Sequence, residues 1–288
     1  MFFLSRQKTL TVAFVLVAVA VLMLVAIDDR LTTQEYTASH ATTDRAITVA
    51  IITDLHSCFY GDGQHELMKP LKDRRPDVIL LGGDIYDDEL PQTHADVLLR
   101  QLTDITPHVY YVNGNHELYL PADEYTKIEN KITSYGIKIL HGDTATIPID
   151  GKDSKLRVYG VSDPVFMTKF REDLRTVGEL ARPDDINILL THRPEYIDEY
   201  LTYPFDFVVS GHAHGGQWRI PYVLNGLFAP NQGLLPKYAG GDYHFVNPVS
   251  HSQHTQFIVS RGLAKESTRF IPRVFNRPEL VFLTIPSS

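Results

Sequence analysis

An α/β fold of two packed sheets with helices outside is what this 288-residue chain predicts. Three observations carry that reading. Short β-branched apolar runs alternate with amphipathic stretches in the first half. Past Gly136 the runs become mostly strand-like. Several runs break off at a glycine and a polar side chain, as buried strands do when their last residues point into a site. With 43% hydrophobic and 22% charged residues the chain can bury a full core, as one large α/β domain or two small ones.

Taken in order, residues 10–27 are apolar except for Thr11 and carry no charge, enough to span a bilayer. Arg6 and Lys8 precede them and Asp28 and Asp29 follow, so the basic flank should stay cytoplasmic and the bulk of the chain lie outside. The alternative is a cleaved signal peptide. The run exceeds the usual apolar length for one and lacks a small-x-small site at its end, which favours an anchor. Residues 31–45 are rich in Thr, Ser, Ala and acidic groups without a helix or strand period, and read as a flexible tether. The division expected is thus a cytoplasmic 1–9, a transmembrane helix 10–27, a flexible linker 28–45 and one domain 46–288. That places the protein as single-pass in the plasma membrane.

The body opens with 47–52, a β-branched run suited to a strand buried on both faces. A helix over 66–74 follows, with Leu67, Met68 and Leu71 on one face and Pro76 as its stop. Residues 78–81 form the next strand, 93–102 a helix, 109–112 a third strand, and 123–135 a helix with Tyr125, Ile128, Ile132 and Tyr135 in phase. Further strands are expected at 137–140, 145–149, 156–161, 186–190, 207–209, 256–260 and 280–285, with a helix over 169–180.

Five of these strands end in metal-type ligands: Asp54 and His56, Asp84, Asn115 and His116, His192, and His212 and His214. In open α/β sheets, groups beyond the carboxyl ends of strands converge even when far apart in sequence. Gly82 and Gly83 strip the chain before Asp84 of the Cβ atoms that would keep other groups away. Imidazole plus carboxylate without thiolate suits Mn, Fe, Zn or Co, and the number of groups suits two ions sharing a bridge. The single Cys58 excludes an intrachain disulfide and a multi-cysteine metal site. A net charge of −8 argues against a nucleic-acid-binding surface. His40, His65, His94, His108, His251 and His254 lie in polar stretches or helices and receive no role.

Asp54-x-His56, Gly83-Asp84-x-x-Asp87, Gly114-Asn115-His116-Glu117, His192 and Gly211-His212-x-His214 together resemble the ordered signature of the calcineurin-like metallophosphoesterases, across residues 47–285. The resemblance implies a four-layer α/β/β/α sandwich with two divalent ions at the sheet ends. Asp54, His56, Asp84 and His214 would hold one ion; Asp84, Asn115, His192 and His212 would hold the other, with Asp84 bridging. A metal-bridging hydroxide would attack phosphorus in line, His116 would assist the leaving oxygen, and Asp87 would orient His116. Relatives that act on phosphoproteins carry arginines where this chain has Asp88 and Leu118, so Arg193 is the expected phosphate contact, or else a partner of Glu195.

The apolar N-terminus, Ser210–Gln217 and Ser260-Arg261-Gly262-Leu263 resemble a small membrane-anchored bacterial branch of phosphodiesterases. The expected substrate is a phosphodiester or a lipid-linked pyrophosphate, an envelope lipid of the UDP-diacylglucosamine kind included. A phosphomonoesterase or protein phosphatase is the alternative, and an inactive membrane-tethered adaptor is the alternative of another class. No obligate protein partner is indicated. The aromatic-rich stretch 217–243 is expected to rim the site, or simply to pack on itself.

Overall fold

A computed structural model describes residues 2–148, 155–182, 184–250, 252–265 and 272–287. Ile149, the expected end of one strand, and His251 lie outside the described residues. The chain begins with helix α1 (Phe2–Ala26), of which Lys8–Ala26 is apolar and long enough to cross a membrane.

The first sheet has the order β1 (Thr32–Thr37), β14 (Glu279–Ile285), β2 (Ile47–Ile52), β3 (Val78–Gly82), β4 (Val109–Val112), β5 (Lys138–Ile139). The second has the order β12 (Gly241–Val246), β13 (His254–Val259), β9 (Phe207–Ser210), β8 (Ile186–Leu190), β7 (Lys155–Gly160), β6 (Asp143–Pro148). The pairs β2–β3–β4 and β7–β8–β9 are parallel, so within each set the carboxyl ends emerge on one edge.

Period-two alternation makes the layers. Val49, Ile51, Val78 and Leu80 turn inward and meet Val158, Ile188, Leu190 and Val209 of the second sheet. Ala50, Ile52, Ile79 and Leu81 turn outward, onto α2 (His65–Arg74), α3 (Thr93–Leu102) and α5 (Ala122–Ser134). On the far side Tyr159, Leu189 and Val208 pack on α6 (Met167–Leu180) and α7 (Ile197–Tyr200). This is the α/β/β/α sandwich. Side chains such as Leu80 and Ile188 are fully buried, and each stabilises the fold by about 1.5–3 kcal/mol.

The tether expected at 28–45 is corrected in its middle. Thr32–Thr37 forms β1, paired parallel to β14 from Thr32↔Glu279 to Thr37↔Thr284. An edge strand needs an apolar row on one face at most, and Gln34 and Thr32 occupy that row beside Tyr36, which leans on the inter-sheet core. The polar composition therefore hid a strand held by main-chain bonds. A short helix, α4 (Asn115–Tyr119), a small hairpin of β10 (Phe228–Ala229) and β11 (Gly233–Leu234), and four short 3-10 turns complete the described elements.

Candidate metal centre

Asp54 and His56 follow β2, Asp84 follows β3, Asn115 starts the helix after β4, His192 follows β8, and His212 and His214 follow β9. Asp54, His56, Asp84, His212 and His214 all have positive φ, between 46° and 65°. An L-residue held there costs about 1–3 kcal/mol, and such strain gathers at functional sites.

The result is a convergent cluster. One ligand atom each from Asp54, His56 and His214 lie within 4.8 Å of one another, as do those from Asp84, His192 and His212. Asp84 Oδ2 joins the two groups, 3.5 Å from His56 Nε2 and 3.2 Å from His192 Nε2. All the expected ligands are buried. Asp54 Oδ2, His56 Nε2, Asp84 Oδ2, Asn115 Oδ1 and His214 Nδ1 make no hydrogen bond of acceptable geometry. Each such atom costs about 1–3 kcal/mol if nothing satisfies it. Five buried oxygen and imidazole atoms left unsatisfied at the strand ends fit divalent cations.

The imidazoles are oriented from behind. His192 Nδ1–H donates to the Gly82 carbonyl at 2.8 Å, which leaves Nε2 for Asp84 and the centre. His56 Nδ1–H donates to Asp87 Oδ2 at 2.9 Å and frees its Nε2 in the same way. Such backing fixes the tautomer and raises ligand basicity. Gly83 and Gly114 permit the close approach: a Cβ on Gly83 would lie 2.6 Å from His192 Nδ1, and one on Gly114 would lie 2.2 Å from Asp84 Oδ1.

Neighbouring charges and burial set the state of each group in the cluster, and burial with Asp84 raises the pKa of Asp54. Burial works against an anion at Asp84, but His192, His56 and His116 outweigh it and hold its pKa well below the usual carboxylate range. Burial likewise opposes a cation at His192, yet Asp84 and Asp54 push its pKa up to about 10. Burial, helped by neighbouring cations, lowers His212 and His214 and keeps both neutral.

Two expectations are corrected by the geometry. Asp87 is the backing partner of His56, and its Oδ2 lies 3.7 Å from His116 Nδ1. The direct partner of His116 is Asp88, whose Oδ1 lies 2.6 Å from Nδ1. Asp87 is turned inward and caps the loop beyond it by accepting from the Glu89 and Leu90 amides, whereas Asp88 stays at the rim. Arg193 is buried instead of facing substrate. Its Nε and Nη2 donate to Asp163 at 2.8 and 2.9 Å, and Nη1 donates to Asn231 Oδ1 at 2.8 Å. Nη1 also comes within 3.8 Å of Glu195, so the alternative pairing exists but is the weaker one.

Three functional residues carry no expectation from sequence. Asn231 Oδ1, already accepting from Arg193, lies 2.8 Å from His212 Nε2. An oxygen so placed accepts the Nε2 proton, and His212 Nδ1 is left facing His192 Nε2 at 3.2 Å. Glu117 accepts from the amides of Asp84, Ile85, Tyr86 and Gly114 and so clamps the loop that presents Asp84. Its place in the Asn-His-Glu block was a signal for one of these bonds only, because a glutamate three residues past an N-cap reaches back to the N-cap amide, here that of Gly114. Asp88 is the third.

His116 stands at the mouth of the cluster, with its side chain 23% exposed and its ring edge-on to His56 at 4.4 Å. Burial alone would lower its pKa, but Asp84, Asp88 and Asp87 raise it. A protonated imidazole can give a proton to a leaving oxygen at neutral pH.

Comparison with known proteins agrees with this geometry. Residues 47–216 match the family described as calcineurin-like phosphoesterase. The metallophosphoesterase YkoQ of Bacillus subtilis is 26% identical over 245 residues, covering 83% of this chain and 83% of that protein. The phosphodiesterase YaeI of Escherichia coli is 27% identical over 153 residues, covering 52% and 53%. The structure of Haemophilus influenzae NAD nucleotidase NadN superposes with a TM-score of 0.53 at 16% identity, over 76% of this chain and 46% of that one. This last likeness is one of fold. The chain belongs to the calcineurin-like phosphoesterase family and is a metal-dependent phosphoric ester hydrolase.

Proposed function

We propose that the protein is a membrane-tethered phosphodiesterase with a pair of divalent cations, Mn, Fe, Zn or Co, acting on a phosphodiester or a lipid-linked pyrophosphate. The observation that carries the reading is the pair of buried ligand groups meeting at Asp84 Oδ2. Asp54, His56, Asp84 and His214 would hold one cation, and Asp84, Asn115, His192 and His212 the other. When bound, such a pair acidifies water and offsets charge on the transferring phosphoryl group.

The chain's own residues do the rest. Asp84 keeps a negative charge in a buried place because three histidines surround it. Glu117 fixes the loop carrying it. His116, protonated beside Asp88, donates to the departing oxygen. A diester suits this mouth better than a monoester. The carboxylates of Asp87 and Asp88 lie against His116, and Arg193 is committed to Asp163, which disfavours a dianion at this edge of the mouth. The YaeI relative, a phosphodiesterase, points the same way.

Helix α1 is read as a single membrane span, with Arg6 and Lys8 on the cytoplasmic side and the domain outside. The domain then begins at β1. The test of the chemistry is hydrolysis of an aryl phosphodiester, an aryl phosphomonoester and a phosphopeptide by the full chain in detergent, with each metal added in turn. A diester preference with metal dependence is expected. Faster turnover of the phosphopeptide would overturn the assignment.

A further inference from the structure

We infer that the loop following His214, with its tip at Ile220–Val223, is seated in the interfacial zone of the bilayer beside the end of α1. The inference rests on the reading of α1 as a membrane span and adds a second point of attachment to it. Three observations meet here.

The first is continuity with the helix exit. The Phe275 amide donates to the Ala26 carbonyl at 2.6 Å, and Arg277 donates to the carbonyls of Arg30 and Leu31, both at 2.8 Å. The same short segment carries the loop: Arg219 N donates to Val274 O at 2.9 Å, Val274 N to Gln217 O at 3.1 Å, and Trp218 Nε1 to Pro272 O at 3.0 Å. The residue that touches the end of α1 is therefore the immediate neighbour of the one paired with the loop. Paired backbones lie about 4.8 Å apart, so the loop base sits beside the helix exit.

The second is the surface offered. Tyr222 is 108% exposed, Val223 80% and Ile220 52%, and on the returning arm Leu234 is 74% and Leu235 66% exposed. Several large apolar side chains so exposed on one loop point to an interaction site. Tyrosine and tryptophan with aliphatic neighbours are the residues that settle at the level of lipid headgroups. The third is charge. From 207 to 241 the only charged residues, histidine aside, are the basic Arg219 and Lys237, in a chain of net charge −8. A segment without carboxylates brings no like-charge repulsion toward lipid phosphates.

Seating this loop fixes the height of the metal centre. Gln217 and His214 share a turn through the Gln217 N–His214 O bond, and Asn231, on the same loop, receives the His212 proton. The partner is thus a lipid surface, and the ligand-bearing segment is what it positions.

Trp218 is the single tryptophan of the chain, so its fluorescence reports on this loop alone. The full chain is reconstituted into vesicles of phosphatidylglycerol and phosphatidylethanolamine, with or without acyl chains brominated close to the glycerol. Flotation after an alkaline carbonate wash reads the anchor separately. Flotation together with at least a roughly two-fold loss of Trp218 emission in brominated vesicles is the expected result. The double variant Tyr222→Ser/Val223→Ser should lose most of that quenching and still hydrolyse a water-soluble aryl phosphodiester at the original rate. Flotation with unquenched emission, or equal quenching in the double variant, would overturn the seated loop and leave the anchor standing. Failure to float would overturn both.

Discussion

Asp88 Oδ1 lies 2.6 Å from His116 Nδ1, while Asp87 reaches past it to His56. Two adjacent carboxylates thus back two different histidines, one in the buried cluster and one at its mouth. Asp88→Asn should leave metal content unchanged and lower kcat about ten-fold, since the imidazole loses its orientation and its stabilised charge. His116→Ala should cost about a hundred-fold or more with metal retained, within the range general acids supply. Metal analysis alongside steady-state kinetics checks both, and a His116→Ala enzyme of undiminished kcat would remove the histidine from the reaction.

Asp84→Asn should strip the centre. A neutral amide lacks the second anionic oxygen that lies between His56 and His192. Metal content should fall, and activity should drop by at least about a hundred-fold, the equivalent of a few kcal/mol of lost charge stabilisation. Elemental analysis of the purified variant is the measurement.

Asn231→Ala removes the acceptor of the His212 proton and leaves Arg193 Nη1 with only its longer contact to Glu195. Metal affinity should weaken about 10- to 100-fold, as for other groups that orient ligating histidines. Isothermal titration of the metal-free protein reads the change directly. An unaltered affinity would mean that His212 is oriented by packing alone.

Glu117→Gln puts an amide NH2 against backbone N–H donors that now face carboxylate oxygens. Stability should fall by about 2–4 kcal/mol, because hydrogen bonds to a charged group contribute about 1.5–3 kcal/mol each. Urea denaturation of the metal-free protein checks it.

His141 supplies a pH dependence remote from the ligands. Burial lowers its pKa from 6.5 to about 4; the Asp173 charge opposes the shift, Lys169 adds to it, and burial prevails. The unfolded chain therefore binds the extra proton first as pH falls. Folded stability should be unaffected above about pH 6.5 and decline from there toward pH 4, by about 2 kcal/mol at pH 5 if His141 acted alone. His141→Gln should flatten that part of the curve in denaturation series at pH 7 and pH 5.

What the chain made legible were features governed by local pattern. The strands ending at Asp54, Asp84, Asn115, His192 and His212 were readable because a β-branched run that stops at a glycine or a ligand side chain fits a buried strand feeding a site and little else. β1 was not, because an edge strand of Thr, Gln and Glu draws its stability from main-chain bonds to β14 that leave no trace in side-chain type. The choice between Asp87 and Asp88 turned on which way the chain twists after Tyr86, and sequence spacing is blind to that twist. Arg193 looked available because Asp163 is 30 residues away and gave no sign of being its partner. Asn231 has neither charge nor period to announce it. Its role follows from a loop folded back against His212 and Arg193.

The left-handed backbone at residues 54, 56, 84, 212 and 214 has a further consequence. Glycine would adopt every one of these torsions with less strain, yet it offers nothing to a cation. Local folding preference and chemical usefulness therefore pull in opposite directions at each of these five positions. Drift toward glycine at any of them would mark a descendant that has kept the scaffold and given up the reaction.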